Sequence, residues 1–177
     1  MQLAYQALQE SGNPFSLATC GWVLGPPRDR TEFDRTLPKD VPFSCINRGV
    51  GYSPVEKGFE NLQSRSKWAN PWMEDDPALL TSQLWAGRLR KDAYDAYRYG
   101  CDGLFGIHWR TRILGPNVSS LAKAAWECDQ WSVSAPDSVR DLPVNDFYRE
   151  WVKSEFESTD TMLIRLFVHL DSQGCEQ

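Results

Sequence analysis

Apolar positions change period several times along the chain. Leu3, Ala4, Ala7 and Leu8 recur at helical spacing over residues 2 to 11, and Gly12-Asn13-Pro14 ends that pattern. Phe15 to Trp22 is short, apolar and β-prone, which predicts a buried strand. Gly25-Pro26-Pro27 breaks the chain, and a short helix is expected over Thr31 to Leu37. Pro42 to Ile46 predicts a second strand, ending in Asn47, Arg48 and Gly49, and Pro54 to Leu62 a helix with Pro54 in its first turn. Ser66 to Asn70 is a weaker third strand.

From there the helical period lengthens. Asp76-Pro77 has the form of a helix start, with Asp as cap and Pro in the first turn. Leu80, Leu84, Trp85, Leu89, Ala93 and Ala96 follow near a 3.6 period, and Gly100 suits the C-terminal cap. Asp102 to His108 predicts the fourth strand. Asn117 is expected to cap a helix carrying Val118, Leu121, Ala122, Ala125 and Trp126, and two more helices are predicted over Asp146 to Phe156 and Asp160 to Leu170.

Strands and helices in alternation imply a parallel sheet with helical cover. The expected fold is α/β: four consecutive β/α units with strands near 15–22, 42–47, 65–70 and 102–108 as sequential neighbours. Residues 1–144 would form this unit, and residues 145–177 two C-terminal helices packed on the same domain. Four such units make either half of a TIM-type barrel or a small open sheet. With 177 residues, 41% of them hydrophobic and 24% charged, one domain with a real core is expected.

Charge and cysteine usage narrow the function. The net charge of −5 argues against a nucleic-acid partner. No run approaches the roughly 20 apolar residues of a membrane helix, so no membrane partner is expected. The first ten residues lack the basic and apolar regions of a signal peptide, which leaves the location of a longer parent protein open. Cys20, Cys45, Cys101, Cys128 and Cys175 show no CxxC spacing. The first three lie in or beside strand patterns and read as inert core thiols. No metal site and no cofactor is implied, and GxSxG, HExxH and Gly-rich phosphate loops are missing from the sequence.

In parallel β/α arrays ligands are handled at the strand carboxyl ends. That face would collect Cys20, Gly21 and Trp22 from the first strand and Asn47 and Arg48 from the second. The third strand and its loop would add Asn70, Trp72, Glu74, Asp75 and Asp76, and the fourth His108, Trp109, Arg110 and Arg112. Aromatic walls beside carboxylates and an Arg/His cluster suit a polar ligand with a flat face, such as a sugar. Glycoside hydrolysis generally uses two carboxylates, and Glu74 and Asp75 are the candidates for acid/base work. Trp22, Trp72 and Trp109 would form the platform, with Arg48, His108 and Arg110 holding hydroxyls or a carboxylate. Plain alternatives stand beside each reading: Trp as core, Glu74 and Asp75 as solvated loop charges, Asp76 as a helix cap, the arginines as loop ion pairs. Asp102 sits at the amino end of its strand and would hold a turn. Asn117-Val118-Ser119 matches a glycosylation sequon, against its reading as a helix cap.

The runs LATCGWVLGP (Leu17 to Pro26), KWANPWMEDDP (Lys67 to Pro77) and YGCDGLFGIHWRTR (Tyr99 to Arg112), followed by Gly115-Pro116-Asn117, resemble the later part of a glycoside-hydrolase-like (β/α)8 barrel. Such barrels occur in large proteins, some carrying a malectin-type carbohydrate-binding domain. The resemblance spans about residues 13 to 171. It implies strands five to eight of a barrel and hydrolysis of a glycosidic bond in an oligo- or polysaccharide, with β-hexosaminidase-like and α-glucuronidase-like activities the nearest classes. Half a barrel has open sheet edges, through which it would self-associate. A non-catalytic carbohydrate-binding protein and a truncated gene product without independent activity are the other two readings.

Overall fold

The computed structural model describes residues 2–12, 14–49, 52–73, 83–108, 114–127 and 138–173. Among them the chain is α/β, built on a four-stranded parallel sheet in the order β1-β2-β3-β4. The strands are β1 (Thr19–Gly21), β2 (Phe43–Ile46), β3 (Lys67–Asn70) and β4 (Gly103–Leu104). They fall inside the four expected segments and pair as sequential neighbours, with Cys20, Ser44, Trp68 and Gly103 in one register row. The helices are α1 (Gln2–Ser11), α2 (Glu32–Thr36), α3 (Ala86–Arg98), α4 (Gly115–Trp126), α5 (Asn145–Phe156) and α6 (Thr161–Leu170), with a 3-10 helix over Lys57–Asn61.

The alternation of side chains along a strand divides the sheet into two faces. Phe43 and Cys45 of β2 and Ala69 of β3 pack with Val55, Phe59 and Leu62 around the 3-10 helix and with Ala96 and Tyr99 at the end of α3. Burial pushes the thiols of Cys45 and Cys101 up to about 12, which makes both inert. Cys20 departs from the expected core thiol: it is exposed, because β1 is an edge strand. The other face carries Cys20, Ser44, Trp68 and Gly103. A Cβ at Gly103 would stand 2.3 Å from Trp68 Cδ1, so only glycine lets that indole lie across β4.

The amino ends of the strands are sealed by two buried cations. Arg65, just before β3, donates through Nε to Asp34 Oδ1 (2.8 Å), through Nη2 to the Asp34 and Leu37 carbonyls and through Nη1 to those of Pro38 and Val41. It thereby ties α2 and the turn behind it to β3. Lys67 Nζ donates to the carbonyls of Phe59, Leu62 and Tyr99 at 2.8 to 3.3 Å, which uses all three ammonium protons. Asp102, expected to hold a turn, bonds across to the start of β3: its Oδ1 accepts from Ser66 Oγ (3.0 Å) and Lys67 N (2.8 Å).

Helix α3 is buried over Ala86 to Ala96, charged positions included. Lys91 Nζ reaches both oxygens of Asp95 at 2.6 Å. Three more of its charges pair with residues 140–146, the segment before α5 and its first turn: Arg88 with Asp141, Asp92 with Arg140 and Arg90 with Asp146. The backbone approaches closely at Gly87, whose carbonyl accepts from Leu142 N at 3.0 Å. The start of α3 is capped from far along the chain. Asp171 accepts from Ala86 N (2.9 Å), Gly87 N (3.1 Å) and the Tyr148 hydroxyl (2.6 Å). Burial pushes the Asp171 carboxyl up, against the pull of those donors. Helices α5 and α6 close over Ala86 through Tyr148, Phe147, Ile164, Phe167 and Val168.

Three local expectations change. Leu84 and Trp85 are not helical, and α3 begins at Ala86. Trp85 lacks a capping side chain, and the cap is supplied by Asp171. The helix expected from Pro54 is a 3-10 turn beginning at Lys57, where Glu56 caps Gly58 N at 3.0 Å. Asn117 lies inside α4, whose cap position is Leu114.

The Arg90–Asp146 pair gives a pH prediction. The bond from Arg90 holds the Asp146 carboxyl below its usual range, against the opposing effect of burial. A depressed folded pKa contributes stability that is complete above the unfolded value, about 4, and is lost as pH falls through the folded value. Asp146→Asn should therefore melt below the parent chain at pH 7, and the gap should close as pH falls below about 4. Thermal melts from pH 7 to pH 2.5 check this; a gap that stays constant would show that the pair contributes no pH-linked stability.

Candidate functional site

Past the named strands the ladder between β3 and β4 continues. Ile107 N donates to Pro71 O and Met73 N to Ile107 O, both at 2.9 Å, and Trp72 and Ile107 form a parallel bridge. This extension carries Trp72 beyond the sheet. Its Nε1 donates to the Asn47 carbonyl at 3.0 Å, just after β2. Trp22, just after β1, stacks on it with ring centroids 5.6 Å apart and an interplanar angle of 29°. The two rings differ in access: Trp22 is 47% exposed and Trp72 only 4%. Trp72 is thus the floor, packed with Ile46, Trp85 and Ile107, and Trp22 the accessible ring held flat above it.

In the carboxyl-terminal half of the sheet lie buried polar atoms without partners. Asn47 and Asn70 are each 2% exposed, and neither Oδ1 accepts a hydrogen bond. The indole Nε1 of Trp85 and the Ser44 hydroxyl are buried and unpartnered as well. Each such group costs about 1–3 kcal/mol to bury. The amino ends of the same strands show the opposite state, with Arg65 and Lys67 saturated by carbonyls. Sequence reasoning puts Asn47 and Asn70 on this face but misses their unpartnered amides, and it misses Ser44 and Trp85. No local signal identifies them, because hydrogen-bond satisfaction is decided by distant neighbours.

The other expected residues divide into two groups. Arg48 is exposed, with Nε 3.5 Å from Glu56 Oε2, so Glu56 both caps the 3-10 helix and holds Arg48. His108 is exposed at the end of the β4 extension. Glu74, Asp75, Trp109 and Arg110, with Asp76 and Arg112, lie outside the described residues. The residues that flank their loops are neighbours, since Met73 N donates to Ile107 O. A cavity of about 610 Å³ runs beside β1, with Cys20, Trp22, Phe33, Leu37 and Ser44 in its walls. Among the described residues no three His, Cys, Asp or Glu side chains group as metal ligands.

One side chain holds both sides of segment 74–82. Asn117 is fully buried; its Nδ2 donates to Met73 O (2.6 Å) and Gln83 O (2.8 Å), and its Oδ1 accepts from Trp85 N (2.9 Å). This corrects both readings of the Asn117-Val118-Ser119 triplet. The amide is neither a helix cap nor accessible to glycosylation, and it fixes where the chain leaves β3 and re-enters at Trp85.

No protein-family model matches the chain, and no curated protein or solved structure shows a significant similarity to it.

Replacing Asn117 with Ala removes three buried hydrogen bonds and leaves their partners unsatisfied. Asn117→Ala should destabilise the chain by about 2–4 kcal/mol, read as a lower urea midpoint at unchanged slope. A loss below 0.5 kcal/mol would mean that the clamp is dispensable.

Proposed function

We propose that this chain is the later half of a glycoside-hydrolase-like (β/α)8 barrel and that its strand carboxyl ends bind a carbohydrate whose glycosidic bond is cleaved. One observation carries the binding part: Trp22 stacks on a buried Trp72 at the strand ends, on the sheet face of Asn70, whose buried Oδ1 is unpartnered. An exposed indole backed by a second ring offers a rigid apolar surface for the face of a sugar, and polar atoms with unused hydrogen-bonding capacity suit its hydroxyls. A parallel sheet normally has both faces covered. Here Trp22 and Phe105, which continue the register row of Ile46 and Asn70, stand exposed. The exposed ends of that row support the reading of this face as a barrel's inner layer, while Ile46 and Asn70 at its centre are buried.

In this reading Glu74 and Asp75 supply acid/base chemistry at the glycosidic oxygen, Trp109 extends the platform, and Arg48, His108 and Arg110 hold hydroxyls. The second reading, a carbohydrate-binding protein without catalysis, draws on the same Trp22–Trp72 pair. It gains from Glu56, whose carboxylate is engaged by Gly58 N and Arg48.

Trp22→Ala should weaken oligosaccharide binding about tenfold, as expected for the loss of about 1.4 kcal/mol of stacking, with the melting temperature nearly unchanged. Calorimetric titration checks it; equal affinity of variant and parent would remove Trp22 from the site. In a barrel completed by co-expressed β/α units, Glu74→Gln or Asp75→Asn should lower turnover 10²–10⁴-fold. Full turnover by both variants would favour the binding-protein reading.

With β1 and β4 as open edges, the isolated chain should self-associate. Sedimentation equilibrium at micromolar concentration should give a mass above that of one chain, 20.2 kDa. A strictly monomeric species would show that the edges are protected.

A further inference from the structure

The segments that follow β1 and β2 enclose a polar hollow that neither Trp22 nor Trp72 lines. We infer that this hollow binds a tetrahedral oxyanion, the phosphate or sulfate group of a small ligand. The inference goes beyond the carbohydrate reading, which gives Arg48 hydroxyls to hold, and stands without it.

The hollow has a volume of about 260 Å³, and Arg30, Arg48, Ser53, Val55, Glu56 and Lys57 are among the residues that line it. Three cations meet one carboxylate there, a local excess of two positive charges in a chain whose net charge is −5. The backbone brings them together. A Cβ added at Gly58 would stand 3.2 Å from Arg30 Cβ and 3.3 Å from Glu56 Oε1, so the Arg30 stem and the Glu56 carboxylate flank the same turn of the 3-10 helix. Arg48 Nε lies 3.5 Å from Glu56 Oε2, and Lys57 is the next residue along the chain.

The two guanidinium groups keep most of their donors unspent. Arg65, at the other end of the sheet, gives five hydrogen bonds to protein oxygens. Arg48 gives none among the described residues, and its distance to Glu56 exceeds the about 2.7–2.9 Å of a charge-assisted bond. Arg30 gives one, from Nη1 to Gly25 O at 2.6 Å. Glu56 is already committed, since its Oε1 accepts from Gly58 N at 3.0 Å. One carboxylate cannot neutralise three cations, and a shared counter-anion relieves the repulsion among like charges gathered in one hollow. Two guanidinium forks, an ammonium and the Ser53 hydroxyl suit a group whose acceptor oxygens point in several directions. Phosphate and sulfate have that shape, and a planar carboxylate does not.

The test uses the full chain at pH 7, with ionic strength held constant by sodium chloride. Sulfate, inorganic phosphate and acetate are titrated by calorimetry and followed by thermal melts, alongside a sulfated monosaccharide. Sulfate and phosphate should bind and raise the melting temperature with occupancy, and acetate should do neither. Arg48→Gln removes a side chain that makes no hydrogen bond, so the variant should melt with the parent when no anion is added. It should bind sulfate about threefold more weakly, and the double variant with Lys57→Gln about tenfold more weakly. Lys153→Gln, at an exposed lysine of α5, should leave binding unchanged. A sulfated sugar that binds more tightly than inorganic sulfate identifies an ester as the source of the group, and one that binds no more tightly identifies the free ion; both support the site. No binding beyond chloride overturns the proposal, as does acetate that binds as well as sulfate. Full affinity in the double variant overturns it too, because the anion would then sit elsewhere. The inorganic ions need no sugar, so each of these failures leaves the carbohydrate reading untouched.

Discussion

A polar atom taken out of water must find a partner, and the two ends of this sheet meet that requirement in opposite ways. At the amino ends Arg65 and Lys67 spend their protons on the carbonyls of α2, the 3-10 helix and the end of α3. These carbonyls terminate elements that could not otherwise be buried, so the two cations are what allow α2 and the 3-10 helix to pack against β2 and β3. Both cations neutralise helix and turn termini more than they neutralise carboxylates; Lys67 meets three carbonyls and no acid. At the carboxyl ends the same strands finish in Asn47 and Asn70, whose side-chain oxygens are buried and unpartnered. Buried polar atoms without partners are uncommon in native folds and call for a physical reason.

Helix α3 is the element through which the rest communicates. It follows β3 through segment 74–82, packs on the sheet through Ala96 and Tyr99, on α4 through Leu89, and on α5 through Ala86. Being covered on every side, it cannot leave its charges in water. Asp141, Arg140 and Asp146 therefore come from one later stretch to meet Arg88, Asp92 and Arg90. Its position also sets the floor of the site, because Trp85, one residue before its start, is held by Asn117 and packs against Trp72.

Much of the architecture is legible in the sequence. Four short β-prone runs separated by helical periods specify strand number, and short connections specify sequential parallel order. Asp102 at the amino end of β4 is recognisable as structural from its place in the run, though its bonds to Ser66 and Lys67 join neighbouring strands and hold no turn. Other features have no local signature. Leu84 and Trp85 share the helical period of α3, yet the helix begins at Ala86, where a carboxylate distant in sequence does the capping. Pro54 to Leu62 carries a helical pattern, yet the capping bond of Glu56 to Gly58 closes a tight 3-10 turn instead. Asn117 sits where a helix cap is expected, and its three hydrogen bonds all go to residues 32 to 44 positions away. Cys20 and Cys45 look alike in sequence; register decides which is buried, since Cys45 points to the helix-covered face of central β2 and Cys20 to the other face of edge strand β1. The aromatic face was legible as a set of residue types, but the division of labour between a buried Trp72 and an exposed Trp22 required the register.

Asp171 carries a consequence for the order in which the protein is made. Its carboxylate and the amide of Ala86 are 85 positions apart, and the backbone of Ser172 donates to Leu84 beside them. A ribosome emits the chain from its amino end, so the sheet and all of α3 emerge while the start of that helix still lacks its cap. Until residue 171 appears, the nascent chain must keep Ala86 and Gly87 solvated, and the burial of α3 stays incomplete. Chain order thus makes completion of the central helix a late event in biosynthesis, with α6 as the closing clasp. A stop codon or proteolytic cut just before residue 171 would remove few core contacts and yet leave the middle of the fold unfastened.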